Sequence, residues 1–198
     1  MCRLIESIKV YRRKLWNIKY HNYRMNNSRR QLFGAEDEID LSKEIVVPQI
    51  ISNELYKCRV VYSNKILSVE FIPYLKKKIT SLEIVTNNLI CYDHKYENRE
   101  EINKLLYSKR CDEILIVKNN LITDASFANV VLSDGKVYLT PASPLLKGTK
   151  RAKLLEEGLI KEEEIPLSDL RKFKYAYLIN AMLDLEESNK VLIENIMQ

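Results

Sequence analysis

The sequence predicts an α+β fold, and three observations support this. Residues rich in β-branched and aromatic side chains occur in short runs, as in 56–63 and 66–74, which flank the turn Ser63–Lys65. Asp134 and Gly135 separate two further runs and give the strongest hairpin signal in the chain. Helical periodicity is confined to a few segments. With 198 residues, the chain can bury a sizeable core without disulfides or metal ions.

Residues 1–81 are predicted to form a small N-terminal α/β domain. Residues 3–10 and 14–18 are predicted as paired strands around the polar turn Tyr11–Arg13. The segment His21–Phe33 is predicted to be helical. The two β-rich runs named above complete this half as a second pair of strands.

Residues 82–198 are predicted to form a second domain with a β-meander at its centre. In the segment 93–110, Ile102, Leu105 and Leu106 lie on one face of a predicted helix. Short apolar runs separated by polar turns then predict consecutive antiparallel strands. These strands are predicted at 114–118, 121–125, 129–133 and 136–140.

The chain is predicted to turn after Pro141 and to enter a helix at 150–158, which ends at Gly158. Gly148 and Thr149 precede this helix, so the turn presents unpaired backbone N–H groups at a helix start. A second short helix is predicted to begin at Ser168, whose hydroxyl can cap it. The last strands are predicted at 175–182 and 190–196.

Composition and charge exclude several classes of protein. The formal charge of +5 is a mild excess, and no aromatic-basic ribonucleoprotein motif or helix-turn-helix pattern accompanies it, so no nucleic-acid partner is expected. No stretch approaches the roughly 20 apolar residues of a membrane span. Four dispersed cysteines and two histidines lack the spacing of a metal site. A cytoplasmic protein without membrane or metal is expected.

Five motifs occur in order in the second half of the chain. They are K-Y-E-N-R from Lys95, T-D-A-S-F-A-N from Thr123, L-T-P from Leu139, L-L-K-G-T-K-R from Leu145 and I-N-A-M from Ile179. Together they resemble the class IV pyridoxal-phosphate enzymes, which comprise branched-chain and D-amino-acid aminotransferases and 4-amino-4-deoxychorismate lyase. The resemblance implies a two-domain fold with a C-terminal β-meander or pseudo-barrel with helices, pyridoxal 5′-phosphate as cofactor, and a homodimer.

By this resemblance, Lys95 is the catalytic lysine that forms a Schiff base with the cofactor. The residues themselves agree with this role. A lysine becomes a nucleophile and a base when partial burial and a neighbouring cation lower its pKa. An exposed lysine among the 32 basic residues is the alternative, and the flanking motifs argue against it.

Asp124 stands where the family usually has a glutamate that contacts the pyridine ring. A carboxylate there keeps the ring nitrogen protonated, so that the ring can accept electrons. The shorter side chain departs from the family pattern. Asn129 matches the family's asparagine at the start of the next strand, where it either fixes a turn or lies near the cofactor.

Gly148 and Thr149 match the family's phosphate-binding turn, and a helix N-terminus carries partial positive charge and unpaired N–H donors. Arg24, in Y-H-N-Y-R, matches the family's arginine on the first long helix and suits a phosphate dianion. By the resemblance, Asn180 lies where the aminotransferases place a phosphate-binding threonine, and Ala181 beside it is also expected to bind the cofactor. His21 is interpreted as a packing or helix-start residue.

Three functions stay open. Asn98, Arg99, Asn180 and Ala181 favour the lyase branch, which eliminates pyruvate from 4-amino-4-deoxychorismate to give 4-aminobenzoate for folate biosynthesis. An aminotransferase acting on a branched-chain or D-amino acid is the second, and a cofactor-free binding module the third. A small molecule with amino and carboxylate groups is the expected substrate. The sequence does not choose among Arg59, Tyr74 and 76–78 as groups that bind its carboxylate.

Overall fold

The protein's structure, a computed structural model, describes residues 2–107 and 110–198. The chain divides into two compact units. The first comprises Met1–Lys76 and His94–Asn98, and the second comprises Lys77–Asp93 and Arg99–Gln198. The α+β class predicted from the sequence is confirmed.

The first unit is built on an antiparallel sheet with strand order β2-β1-β3-β4. In β1, side chains at alternate positions point to one face, and Leu4, Ile8 and Val10 on that face are fully buried. The turn between β1 and β2 places Arg12 and Arg13 in the left-handed region, which tightens the hairpin. The strands are β1 (Leu4–Tyr11), β2 (Lys14–Leu15), β3 (Tyr56–Tyr62) and β4 (Ile66–Pro73).

Helix α1 (Ile18–Phe33) contributes Met25 to the core of this sheet. The prediction that residues 16–18 continue the strand is wrong. Asn17 adopts a left-handed conformation with φ 57°, which ends the extended chain and lets the helix begin at Ile18. A short helix, α2 (Leu41–Glu44), was not predicted; the Asp40 carboxylate caps it by accepting a hydrogen bond from Ser42 N.

The segment His94–Asn98 adds to the first unit through backbone hydrogen bonds to the start of β1. Ile5 N donates to Lys95 O, and Glu97 N donates to Arg3 O, both at 2.9 Å. Lys95 therefore belongs to the first compact unit, although the sequence groups it with the second half. The predicted domain boundary at residue 81 stays a prediction.

The second unit carries a mixed sheet, whose main path among the described residues runs β10-β9-β8-β7-β6-β5-β13, with β11 pairing β8 and β12. The predicted β-meander is confirmed as the antiparallel run β6–β9. Strand β5 is parallel to β6, which makes the sheet mixed. The strands are β5 (Leu82–Thr86), β6 (Glu113–Lys118), β7 (Leu121–Ala125), β8 (Asn129–Ser133), β9 (Tyr138–Pro141), β10 (Lys161–Glu163), β11 (Tyr175–Ile179), β12 (Asn189–Leu192) and β13 (Ile196–Met197).

The helices of the second unit are α3 (Glu100–Leu106) and α4 (Thr149–Glu156), with 3-10 turns at Leu167–Lys172 and Ile193–Asn195. The helix predicted within 93–110 is observed as α3, and the part of that prediction at residues 108–109 lies outside the described residues. Gly158 follows α4 with φ 68°, as predicted for a residue that ends a helix.

The prediction that Ser168 caps a helix is wrong. Ser168 lies inside a 3-10 turn that follows Pro166, and its hydroxyl makes no capping bond. The strand predicted at 175–182 ends at Ile179, because Asn180 starts a turn in which Met182 N donates to its side-chain oxygen.

The core of the second unit lies between the strands of this sheet and the segments packed on it. Leu115, Val130, Leu132 and Leu178 are fully buried there. Within the part of the chain that the structure describes, no helix is both long enough and apolar enough to cross a membrane.

Candidate active site

Lys95 is partly buried, and the backbone around it is fixed. Its carbonyl accepts the bond from Ile5 described above, and Tyr96 pairs with Leu4 as an isolated bridge. The neighbouring His94 ring lies 3.1 Å, through Nδ1, from the Ser28 hydroxyl on α1. Lys95 therefore sits on a segment that is tied both to β1 and to α1.

Arg24 lies on α1 and is held by a buried carboxylate. Its Nε donates to Glu6 Oε1 at 2.8 Å, and its Nη2 donates to Glu6 Oε2 at 2.5 Å. His21, one turn earlier on the same helix, places Nδ1 at 2.6 Å from Glu6 Oε2. The side chains of Glu6 and His21 are fully buried, and that of Arg24 is 14% exposed. These three side chains are called the Glu6 cluster below.

The Glu6 cluster shifts the pKa values of its members. Burial opposes the charged form of Glu6, but the Arg24 charge and the hydrogen bonds from both partners outweigh it and lower the pKa to about 2. Burial lowers the pKa of His21, and its hydrogen bond to Glu6 only partly opposes this. The nearby charges of Arg24 and Lys95 lower the pKa of His21 further. At neutral pH the cluster therefore holds an ionised carboxylate and a neutral imidazole.

In the second unit, Asp124 and Asn129 face each other across β7 and β8. Asn129 Nδ2 donates to Asp124 Oδ1 and to Leu146 O, both at 2.8 Å. Leu146 N donates to Asp124 Oδ2 at 2.9 Å. Asp124 and Asn129 thus anchor the turn that leads into α4, and they are called the Asp124 latch below.

Burial raises the pKa of Asp124 to about 6, although hydrogen bonds from Leu146 N and Asn129 and the charge of Arg151 act in the opposite direction. The chain's own groups therefore compensate this buried negative charge only in part. Each carboxylate oxygen can accept more than one hydrogen bond, so the latch leaves acceptor capacity on Asp124.

Gly148 precedes α4 and touches the Asp124 latch. A Cβ at this position would lie 2.0 Å from Asn129 Oδ1. Its φ of −69° is ordinary, so glycine is required here by space and not by backbone conformation. Thr149 opens α4 and is buried, while the helix has neither a side-chain cap nor an acidic residue in its first turn. The first turn of α4 thus presents its N–H groups without a negative side chain.

Asn180 and Ala181 directly follow the end of β11, and Ile179 pairs with Asn129 across β11 and β8. The sheet therefore brings Asn180 next to the row formed by Asp124 and Asn129. Its side chain closes the turn to Met182 described above, and both Asn180 and Ala181 are partly exposed. Their roles in cofactor binding stay predictions.

The residues considered for branch or substrate recognition have partners within their own units. Arg99 donates through Nη2 to Ser126 O at 2.5 Å, in the loop between β7 and β8. Arg59 pairs with Glu97 at 2.7 Å and lies 3.8 Å from Glu70. Arg59 is thus balanced by carboxylates, which makes it a weak candidate for binding a substrate carboxylate.

Sequence reasoning missed Glu6 and Lys150 and assigned His21 a packing role. Glu6 stands between Leu4 and Ile8 on the inward face of β1, and a charged residue on such a face is the signal that could have found it. Lys150 is buried at the start of α4 and forms an ion pair with Asp184, a partner that local sequence does not reveal.

Comparison with known proteins assigns the fold to a family. A family profile described as "Amino-transferase class IV" matches residues 3–185. An uncharacterized protein of Haemophilus influenzae is 36% identical over 185 residues, which cover 92% of this chain and 98% of that protein.

The solved structures that resemble the chain include the following two. One, from Haemophilus somnus 129PT, is described as a "putative 4-amino-4-deoxychorismate lyase"; its TM-score is 0.87 at 32% identity, covering 93% of this chain and 98% of that one. The other, the PLP-bound form of a hypothetical aminotransferase from Mycobacterium tuberculosis, has a TM-score of 0.77 at 16% identity, covering 96% and 80%. At that identity the second likeness concerns the fold alone.

Replacing Gly148 by alanine is expected to destabilise the second unit by about 2 kcal/mol or more, because the new Cβ meets Asn129 in a packed turn. Gly158→Ala serves as the control, since its Cβ would meet open space and its left-handed φ costs about 1 kcal/mol. Chemical denaturation measures both. Equal stability of Gly148→Ala and the wild type would contradict the steric requirement.

Because of the Glu6 cluster, we expect the free energy of unfolding to fall in acid. Because the pKa of Glu6 is about 2 in the folded chain and 4.5 ordinarily, its stabilising contribution is complete above pH 4.5 and is lost as the pH falls towards 2. The difference in unfolding free energy between wild type and Glu6→Gln should shrink by about 3 kcal/mol over this range. Denaturation at several pH values tests this, and parallel curves for the two proteins would refute it.

Proposed function

Because the chain belongs to the class IV aminotransferase family, we propose that it binds pyridoxal 5′-phosphate and eliminates pyruvate from 4-amino-4-deoxychorismate to give 4-aminobenzoate. The observation that carries the proposal is the placement of Asp124, a buried carboxylate that accepts hydrogen bonds from the neutral amides of Asn129 and Leu146 and whose pKa burial raises to about 6. A protonated pyridine nitrogen would supply the missing positive charge.

Other features of the chain fit this cofactor. Lys95 offers an amine on a fixed segment, and Arg24 offers a guanidinium. The first turn of α4 offers N–H groups with no capping side chain. When bound, the cofactor supplies an aldehyde that condenses with amines and a ring that withdraws electrons from the bonds next to the nitrogen.

Lys95 would hold the cofactor and act as the base. Its role as a base requires a neutral amine, which a positively charged neighbour favours and a negatively charged one opposes. Among the groups that interact with it, His21 is kept neutral, so it adds no charge of either sign next to Lys95.

The proposed elimination uses few protein groups. Lys95 removes the proton from the amine-bearing carbon of the substrate. The C–O bond to the enolpyruvyl group then breaks, and the carbon ring becomes aromatic. The enolpyruvyl group leaves as the enolate, and its methylene carbon takes up the proton that Lys95 had accepted, which gives pyruvate and restores the neutral amine. Since aromatisation drives the bond cleavage, the chain's main task is to orient the substrate.

The lyase is favoured over an aminotransferase by the relative from Haemophilus somnus, which matches nearly the whole chain and whose description names this lyase. Asn98 and Arg99 after Lys95 and Asn180 with Ala181 resemble the same branch. An aminotransferase acting on a branched-chain or D-amino acid is the second candidate, and the description of the family profile, "Amino-transferase class IV", favours it. The homodimer and the cytoplasmic location stay predictions.

The first test is the absorption spectrum of the purified protein with pyridoxal 5′-phosphate. The wild type is expected to show an absorption band near the visible edge, and reduction with borohydride should leave the cofactor covalently attached to Lys95. Lys95→Ala should lose this band while it keeps the melting temperature of the wild type. Lys57→Ala, on β3 of the same unit, is the matched control and should keep the band. An adduct fixed to another lysine would overturn the assignment of Lys95.

The same preparation distinguishes the reactions. Release of 4-aminobenzoate and pyruvate from 4-amino-4-deoxychorismate supports the lyase. Conversion of the cofactor to its amine form by an amino-acid donor, with no 4-aminobenzoate formed, supports the aminotransferase. Absence of any bound cofactor would reject both enzymes in favour of a cofactor-free binding module.

Asp124→Asn should lower turnover by about 100-fold, because the neutral amide no longer keeps the ring nitrogen protonated. The affinity for the cofactor should fall less than turnover, because the amide keeps the size of the side chain and can still accept one of the two hydrogen bonds by which Asp124 holds the turn before α4. Asp134→Asn, in the exposed hairpin turn, is the control and should leave both quantities unchanged. Steady-state kinetics and cofactor titration measure them, and unchanged turnover in Asp124→Asn would reject this role.

A further inference from the structure

We propose that Glu6 is a positioning residue that fixes the guanidinium of Arg24 in the orientation needed to bind the cofactor phosphate, with His21 acting through Glu6. The inference rests on the proposed binding of pyridoxal 5′-phosphate. It adds to that proposal a residue whose carboxylate acts on the phosphate only through Arg24.

The geometry of the Glu6 cluster determines which edge of Arg24 is engaged. Nε and Nη2 form one edge of the planar guanidinium, and both donate to the two oxygens of Glu6. Such a bidentate contact fixes the plane of the group as well as its position. Nη1 and the second hydrogen of Nη2 do not face Glu6, and in the proposed arrangement a phosphate would accept hydrogen bonds from this other side of the guanidinium.

Charge alone does not explain why Glu6 is there. A buried negative charge next to an anion-binding arginine weakens the attraction for phosphate, since like charges repel most strongly where water is excluded. A site that relied only on positive charge would gain from an apolar residue at position 6. The carboxylate is therefore useful for orientation, because a free arginine side chain would lose much of its rotamer freedom on binding.

His21 completes the cluster from the same helix. Because Glu6 is ionised and can only accept, the Nδ1 atom that lies 2.6 Å from its Oε2 must carry the hydrogen. The imidazole is kept neutral, so it holds the carboxylate without neutralising it. Arg24 thus stays the only cation that directly bonds Glu6 among the contacts of the described residues.

The test compares the binding of pyridoxal 5′-phosphate with that of pyridoxal, which lacks the phosphate. The affinity for pyridoxal 5′-phosphate divided by the affinity for pyridoxal measures the contribution of the phosphate contacts. Both ligands carry the same aldehyde, so a change in the aldehyde contacts alters both affinities and leaves this ratio unchanged. Glu6→Asp keeps the charge but withdraws the oxygens by about 1.5 Å, which breaks the bidentate contact. The ratio should fall by about tenfold or more in this variant, while the affinity for pyridoxal stays near that of the wild type.

Glu97→Asp is the matched control, because Glu97 also holds an arginine, Arg59, at 2.7 Å in the same unit. This variant should keep the wild-type ratio. If Glu6→Asp also keeps the wild-type ratio, the positioning role is wrong although the proposed function stands. If the wild type itself shows no preference for pyridoxal 5′-phosphate over pyridoxal, the proposed phosphate site of Arg24 is wrong as well.

Glu6 is fully buried, so Glu6→Asp could fail to fold, which thermal melting reveals. Arg24→Lys then provides the second measurement, since Arg24 lies at the more exposed side of the cluster. Lysine keeps the positive charge but lacks the planar fork. A loss of the affinity ratio in Arg24→Lys supports orientation as the function of the cluster, and a preserved ratio overturns it.

Discussion

The buried carboxylate of Asp124 on β7 holds two other segments of the second unit in place: the start of β8 and the turn before α4, which lies 22 residues further along the chain. It receives hydrogen bonds from Asn129 on the neighbouring strand and from the backbone of Leu146, while Asn129 also bonds the carbonyl of Leu146. The turn before α4 has no regular backbone pairing with β7, so these bonds fix its distance from the sheet. The position of the first turn of α4, and hence of any anion bound there, depends on this one side chain.

The two units each bury a carboxylate, but their surroundings act in opposite directions. Glu6 bonds a cation and an imidazole, and its pKa falls to about 2. Asp124 bonds neutral amides, and its pKa rises to about 6. Burial is similar in both cases, so the difference comes from the charge of the partners. The charge of Glu6 is thus compensated by its own partners, whereas the charge of Asp124 is compensated only in part.

Local sequence predicted the elements whose signal lies within a few residues. The strand pair β3–β4 and the four-stranded meander β6–β9 follow from β-branched runs and turn residues. Gly158 follows the end of α4 as expected. The family motifs identified Asp124, Asn129 and Gly148, which the structure brings into contact. Each of them lies within a short sequence motif, so the resemblance located them without knowledge of the fold.

Non-local contacts account for what the sequence did not predict. The association of Lys95 with β1 depends on backbone bonds between residues some 90 positions apart, which no local pattern records. Glu6 is isolated among apolar neighbours, and its partners lie on a helix that periodicity alone does not orient. Serine is a residue type that commonly caps helices, but Ser168 lies inside the 3-10 turn that follows Pro166.

The close approach of Gly148 to Asn129 has a consequence for how the sequence can change over time. Glycine is required at position 148 only as long as position 129 carries a side chain that reaches it. The two positions are therefore constrained as a pair: a smaller residue at 129 would make larger residues at 148 acceptable. Among related sequences, the identities at these two positions should covary, and a substitution that is harmful in one background should be neutral in another.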